Sequence, residues 1–199
     1  GQNSGSPRGG PHAWNAVGIL IDCKNKAQVL EIITTLHGSG YKAYIAGGAV
    51  RDMLLNQVPE DVDILTDASA MEVAGLFGNA RQVGRSFPII LVNGVEVASC
   101  RAGDALDFPV GDLGMRDFTI NSMAWDPVSD TLVDPFLGKK DLADKIIRFT
   151  GNPGERILED PLRMIRACRF AGRLDGALDS SALDAILTHA PLINPVKGN

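Results

Sequence analysis

Two aspartates, Asp61 and Asp63, stand two positions apart in the stretch VPEDVDILT, Val58 to Thr66. In a strand, residues i and i+2 share a face. Their carboxylates would then stand side by side, roughly 6–7 Å apart at the backbone. Two like charges about 4 Å apart cost about 4 kcal/mol at an effective dielectric near 20. A divalent cation turns that cost into a binding site. Upstream, the run YIAGGAVRD brings Gly47 and Gly48 directly after an apolar segment and before helical spacing. Glycines there let backbone N–H groups approach a phosphate, and a helix start adds positive potential. A plain turn would use the same glycines. Arg51, one turn into that helix, is placed to reach a phosphate or to pair with Asp52.

These residues need elements to hold them. Asn25 is a candidate cap for a helix through Val29, Leu30, Ile32, Ile33 and Leu36, stopped by Gly38 and Gly40. A strand is expected over Tyr41–Ala46, a helix over Ala49–Asn56, and a strand over Asp61–Leu65. Ser69 caps a helix from Ala70 to Phe77. Short strands follow at Arg81–Val83, Pro88–Val92 and Val95–Arg101, the last two joined at Asn93-Gly94, the strongest short hairpin signal. On the last of these Val95 and Val97 share a face and Glu96 takes the other. A lone glutamate there is a solvent-facing side chain unless its strand lies beside the one carrying the aspartates. Gly103–Gly114 is a long acidic connection, and Arg116–Trp125 has the spacing of a helix. Thr131–Val133 is a short strand and Asp141–Lys145 a short helix. From Ile157 the character is helical. Asp160-Pro161 starts a helix on which Arg163, Arg166, Arg169 and Arg173 form a stripe, facing either solvent or a polyanion. Ser180 is a cap for a last helix, Ala182–His189.

Composition narrows the classes. The chain has 199 residues, 45% hydrophobic and 22% charged, which suits a soluble globular protein of one ordinary domain, or of one domain plus part of a second. No apolar run approaches the ~20 residues of a membrane span. Three cysteines, Cys23, Cys100 and Cys168, lack metal-ligand spacing and imply reduced thiols in the cytoplasm. A net charge of −5 means that any nucleic-acid contact must use a local basic surface. Residues 1–12 read as a disordered lead-in or an expression scar.

Taken in order, GGAVRD, the Asp61/Asp63 pair, RDFTIN (Arg116–Asn121) and EDPLR (Glu159–Arg163) resemble the motifs of the tRNA nucleotidyltransferase and bacterial poly(A) polymerase family. That family is the class II branch of the DNA polymerase β-like nucleotidyltransferases. The resemblance runs from about Tyr41 to Gly172. It implies an α+β fold: a polymerase β-like head, a mixed sheet with flanking helices, over residues 13–140, then the start of an all-α neck over 141–199, truncated relative to the family. It also implies template-independent addition of C and/or A from CTP and ATP to the 3′ end of tRNA, using two Mg²⁺ ions. By resemblance Asp61, Asp63 and Glu96 are the catalytic metal ligands. Gly47, Gly48 and Arg51 hold the triphosphate, Asp117 the ribose, and Arg116, Asn121 and Arg166 the nucleotide. Asp160 and Arg163 read the base edge, an acceptor beside a donor fork on one helical face. Asp160 as a simple helix cap is the alternative. Two departures stand out. Met115 occupies the place of an additional arginine, and VGRSFPIILV (Val83–Val92) lacks the second basic residue and the histidine of the longer poly(A) polymerase signature, favouring tRNA end maturation. Enzymes adding only A, or tailing RNA with poly(A), would use the same head residues. A non-catalytic nucleotide- or RNA-binding module is the alternative from another class.

Overall fold

The structure is a computed structural model that describes residues 23–83, 89–99 and 107–193. The lead-in, Trp14–Ile21, Cys100, Arg101 and most of VGRSF lie outside the described residues.

Helix α1 (Lys26–Gly38) buries Val29, Ile32, Ile33 and Leu36, the i, i+3, i+4, i+7 stripe that its sequence carries. Strand β1 (Ala43–Ala46) leads through Gly47 into α2 (Gly48–Leu54), and β2 (Asp63–Thr66) returns antiparallel to β1. Helix α3 (Ala70–Leu76) begins in a capping box. The Ser69 side chain accepts from the Glu72 N–H, and the Glu72 carboxylate accepts from the Ser69 N–H. Strands β3 (Arg81–Val83), β4 (Ile89–Val92) and β5 (Val95–Ser99) form an antiparallel ribbon. Asn93 and Gly94, at φ 49° and 82°, make its tight turn. After α4 (Val110–Gly114) come β6 (Ala124–Asp126) and β7 (Thr131–Val133). Among the described residues these strands make one seven-stranded sheet in the order β3-β4-β5-β2-β1-β6-β7. Its β2–β5 pairing is parallel and the others antiparallel.

One face of the sheet is sealed by α1, α2 and α3 over Ile45, Ile64, Val92 and Val97. The other carries a smaller cluster of Ala46, Leu65, Phe108, Leu113 and Ala124. Helix α5 (Gly138–Ala143), strand β8 (Ile146–Ile147), α6 (Pro153–Glu159), α7 (Leu162–Leu174), β9 (Ala177–Leu178) and α8 (Ser180–His189) complete the chain. Ile147, Phe149, Ile157, Met164, Phe170 and Ala182 join the same buried cluster as the sheet. No helix among the described residues is long and apolar enough to cross a membrane.

Several expectations change. The strand expected from Asp61 begins at Asp63. Its partner β1 ends at Ala46, opposite Asp63, because Gly47 turns away into α2, so Asp61 has no ladder to join. Arg116–Trp125 is not a helix. Phe118 is extended and bridges Phe149, Thr119–Asn121 form a 3-10 turn, and Trp125 lies in β6 opposite Ile45. Every residue from Asp117 to Asp126 is buried, which leaves no polar face for an amphipathic helix. The connection Gly103–Gly114 contains α4. Helix α7 begins directly after Asp160-Pro161, where a helix start is expected, but a separate helix, α6, precedes it, and Asp179 rather than Ser180 caps α8. The C-terminal part is helical except for the short parallel β8–β9 ladder, so it is not all-α.

Candidate active site

The parallel pairing of β2 and β5 sets Asp63 directly beside Glu96. Both take the face opposite Ile64 and Val97, which the larger core covers. Asp61 precedes Asp63 on an exposed turn, and all three acids line one cavity of about 300 Å³. Burial pushes the Asp63 carboxyl above its usual range. Arg116 draws it down and the Asp61 charge raises it again. Among the described residues, no three carboxylate, imidazole or thiol side chains close on a single point as they stand. The donor set nonetheless fits a hard divalent cation: three carboxylates on one cavity, two of them in adjacent strand registers, and a desolvated Asp63 raised by its like-charged neighbour.

Beyond the acids lies a cleft between α2, the RDFTIN turn and α7. Gly47 holds φ at 72°, and a Cβ built there would overlap the Arg116 guanidinium. The Gly47 N–H donates to the Met123 carbonyl at 3.0 Å, so this amide fixes the turn instead of pointing at a ligand. Arg51 is buried and engaged through each of its three side-chain nitrogens. Nη1 donates to Asn121 Oδ1 at 2.6 Å, Nε and Nη2 donate to Asp52 Oδ1, and Cζ stands 5.0 Å from the Phe170 ring centroid. Asn121 Nδ2 in turn donates to Asp117 Oδ1 at 3.0 Å, and Asp117 Oδ2 lies 2.5 Å from Arg166 Nη2. The contact is an ion pair out of hydrogen-bond alignment, since Oδ2 accepts no aligned bond. Asp52, Arg51, Asn121, Asp117 and Arg166 thus form one polar chain tying α2 to α7.

Asp160 sits at the α6–α7 break, where Oδ1 accepts from the Leu162 N–H at 3.0 Å. That bond turns the chain into α7 through one oxygen of Asp160, and Oδ2 takes no part in it. Arg163 Nη1 donates to Glu159 Oε2 at 2.6 Å and to the Arg156 carbonyl at 2.8 Å. The Arg163 hydrogen bond holds the Glu159 carboxyl below its usual value. Every residue expected to bind nucleotide, Gly47 alone excepted, lines a single cavity of about 370 Å³. Gly47 lies beneath it as the seat of Arg116.

Sequence reasoning missed two contributors. Phe170 supports Arg51 and lines the cleft. Its position one turn beyond Arg166 on α7 was the available signal. Arg156 reaches from α6 to the Met115 carbonyl at 3.3 Å, so Met115 takes part through its backbone although its side chain supplies no charge.

A family model described as the poly(A) polymerase head domain matches residues 43–106 and 96–148, together more than half of the chain. The CC-adding tRNA nucleotidyltransferase of Halalkalibacterium halodurans is 40% identical over 171 residues, which cover 84% of this chain and 44% of that protein. Poly(A) polymerase I of Escherichia coli is 36% identical over 193 residues, 84% of this chain and 42% of the relative. Among solved structures, the CCA-adding enzyme of Bacillus stearothermophilus in complex with CTP superposes with a TM-score of 0.71 at 35% identity, over 85% of this chain and 44% of that one. The chain spans less than half the length of these relatives. By this family match and these identities, the chain belongs to the class II nucleotidyltransferase family, that of the CCA-adding enzymes and bacterial poly(A) polymerases.

Proposed function

We propose that this chain is the catalytic part of a template-independent nucleotidyltransferase that adds C and/or A from CTP and ATP to the 3′ end of tRNA. The observation that carries this reading is the register of Asp63 beside Glu96, next to a cleft that ends at Asp160 and Arg163. In the reaction the RNA 3′-oxygen bonds to the α-phosphorus as the α–β phosphoanhydride breaks. Pyrophosphate leaves with the electron pair, and the hydroxyl proton passes to solvent. Asp61, Asp63 and Glu96 would hold one Mg²⁺, and Asp61 and Asp63 a second. Such ions, when bound, supply acidity to the attacking hydroxyl and neutralise the leaving group. The chain itself supplies positioning, the larger part of phosphoryl-transfer catalysis. Arg116, seated on Gly47, faces the acids and lowers the charge cost of Asp63. Arg51 and Asn121 hold the cleft's floor, and Asp117 is oriented for a ribose hydroxyl by Asn121 and the Phe118 N–H. Asp160 and the guanidinium donors of Arg163 that Glu159 and the Arg156 carbonyl do not use are offered to the base edge.

We assign residues 13–140 to a catalytic head and 141–199 to a neck segment, in a cytoplasmic protein, as the three cysteines without metal spacing suggest. A poly(A) polymerase is the second reading, favoured by the match to that enzyme of Escherichia coli and opposed by the incomplete signature at Val83–Val92. The test is Asp63→Asn. Incorporation of labelled C and A into tRNA falls to background while ATP binding and the unfolding midpoint stay near wild type. Incorporation at the wild-type rate contradicts the assignment.

A further inference from the structure

Arg173 is an exposed residue in the last turn of α7, where a cation complements the helix C-terminus. Its surroundings give it more to do. It lines a cavity of about 560 Å³ together with Asp52, Glu60, Asp61 and Asp63. Among the described residues it nevertheless closes on none of them in an ion pair or hydrogen bond. The cavity's other cation, Arg51, is held by Asp52 and Asn121. Arg173 therefore keeps its full set of donors for a ligand's oxygens.

The arrangement of cavities decides which ligand. Gly48 and Arg51 line both the Arg173 cavity and the cleft that holds Asp160 and Arg163, so a molecule can span the two. Glu96 does not line the Arg173 cavity. It lines the one that also holds Lys24. Asp61 and Asp63 are common to both, and so stand between a Glu96 side and an Arg173 side. In the transfer reading, on which this inference rests, the ion that Glu96 would help to hold is the one that would activate the attacking hydroxyl, which leaves the Arg173 side for the departing group. Along α7, the ten residues from Arg163 to Arg173 rise roughly 15 Å, a separation on the scale of an extended nucleoside triphosphate.

We propose that Arg173 binds the terminal phosphates of the incoming nucleoside triphosphate and accompanies them as pyrophosphate when the α–β bond breaks. The experiment is equilibrium binding of ATP and of AMP to the full chain, without RNA, for wild type, Arg173→Ala and Arg173→Lys, with tRNA binding measured beside it. Losing one charge-assisted phosphate contact weakens ATP about tenfold. AMP and tRNA affinities stay at wild-type levels, and Arg173→Lys falls between. Equal losses for ATP and AMP, no loss at all, or a loss confined to tRNA overturns the proposal. The last outcome would give Arg173 to the acceptor backbone. A wild-type chain that binds neither nucleotide contradicts the transfer reading itself, and the wild-type arm separates that failure from the others.

Discussion

Gly47 joins two demands that only glycine meets. Its φ of 72° with ψ of −133° lies where side-chain-bearing residues are scarce, and its missing Cβ leaves the space that Arg116 occupies. Gly47→Ala costs about 1–3 kcal/mol of backbone strain and lifts Arg116 from its seat. Thermal unfolding should show a lowered midpoint, and steady-state assays a raised KM for CTP and ATP. An unchanged KM in a folded variant would remove Arg116 from nucleotide binding. At this scale the sequence was legible in residue type and less so in engagement. That Arg51 pairs with Asp52 was one of two readings open, and the structure adds Asn121 and Phe170 as further partners 70 and 119 positions away. Local spacing carries no trace of such distant contacts.

The elements show where local patterns suffice and where they fail. Ser69 and Glu72 form the capping box, and Asn93-Gly94 makes the hairpin, because both signals act within a few residues. RDFTIN misleads because its apolar spacing is helical while its backbone is claimed from afar: Thr119 N–H by the Arg148 carbonyl, and Phe118 by Phe149. The parallel β2–β5 pairing, on which the acids depend, joins segments about thirty residues apart, and nothing in either strand announces its neighbour. Asp179 is another long-range joint. It caps α8 through Ser181 and pairs with Arg148 Nη1 at 2.6 Å, while Arg148 Nε reaches Asp141 of α5 at 3.0 Å. Burial alone would raise its carboxyl, but the Ser181 hydrogen bonds and the Arg148 charge more than reverse this and hold it below the usual range. A carboxyl depressed in the folded state stabilises above its unfolded pKa, and that contribution fades as pH falls through the folded value. Asp179→Asn keeps a capping oxygen but removes the charge that pairs with Arg148, so it should cost about 0.5–1 kcal/mol near neutral pH, the scale of a partly exposed ion pair, and flatten the loss of stability below about pH 4. Denaturant titrations at pH 7 and pH 3 check it. Equal destabilisation at both pH values would contradict the charge argument.

The whole molecule sets Asp63 and Glu96 on the sheet face opposite the larger core, and Asp160 and Arg163 at the junction of α6 and α7, two helices that pack into that core. The polar chain from Asp52 to Arg166 fixes the distance between them, since it ties α2 to α7 through buried partners. Motif order in the sequence pointed to this architecture, and the cleft is what gathers motifs separated by more than a hundred residues. The central claim is transfer of C or A to an RNA 3′ end. It is tested most directly by incubating the full-length protein with CTP, ATP and tRNAs ending before CCA, after C and after CC, then sequencing the product ends. The account predicts extension that stops at or before the completed CCA terminus, with pyrophosphate released in step. No extension of any substrate, or unlimited A tails on all three, would contradict it.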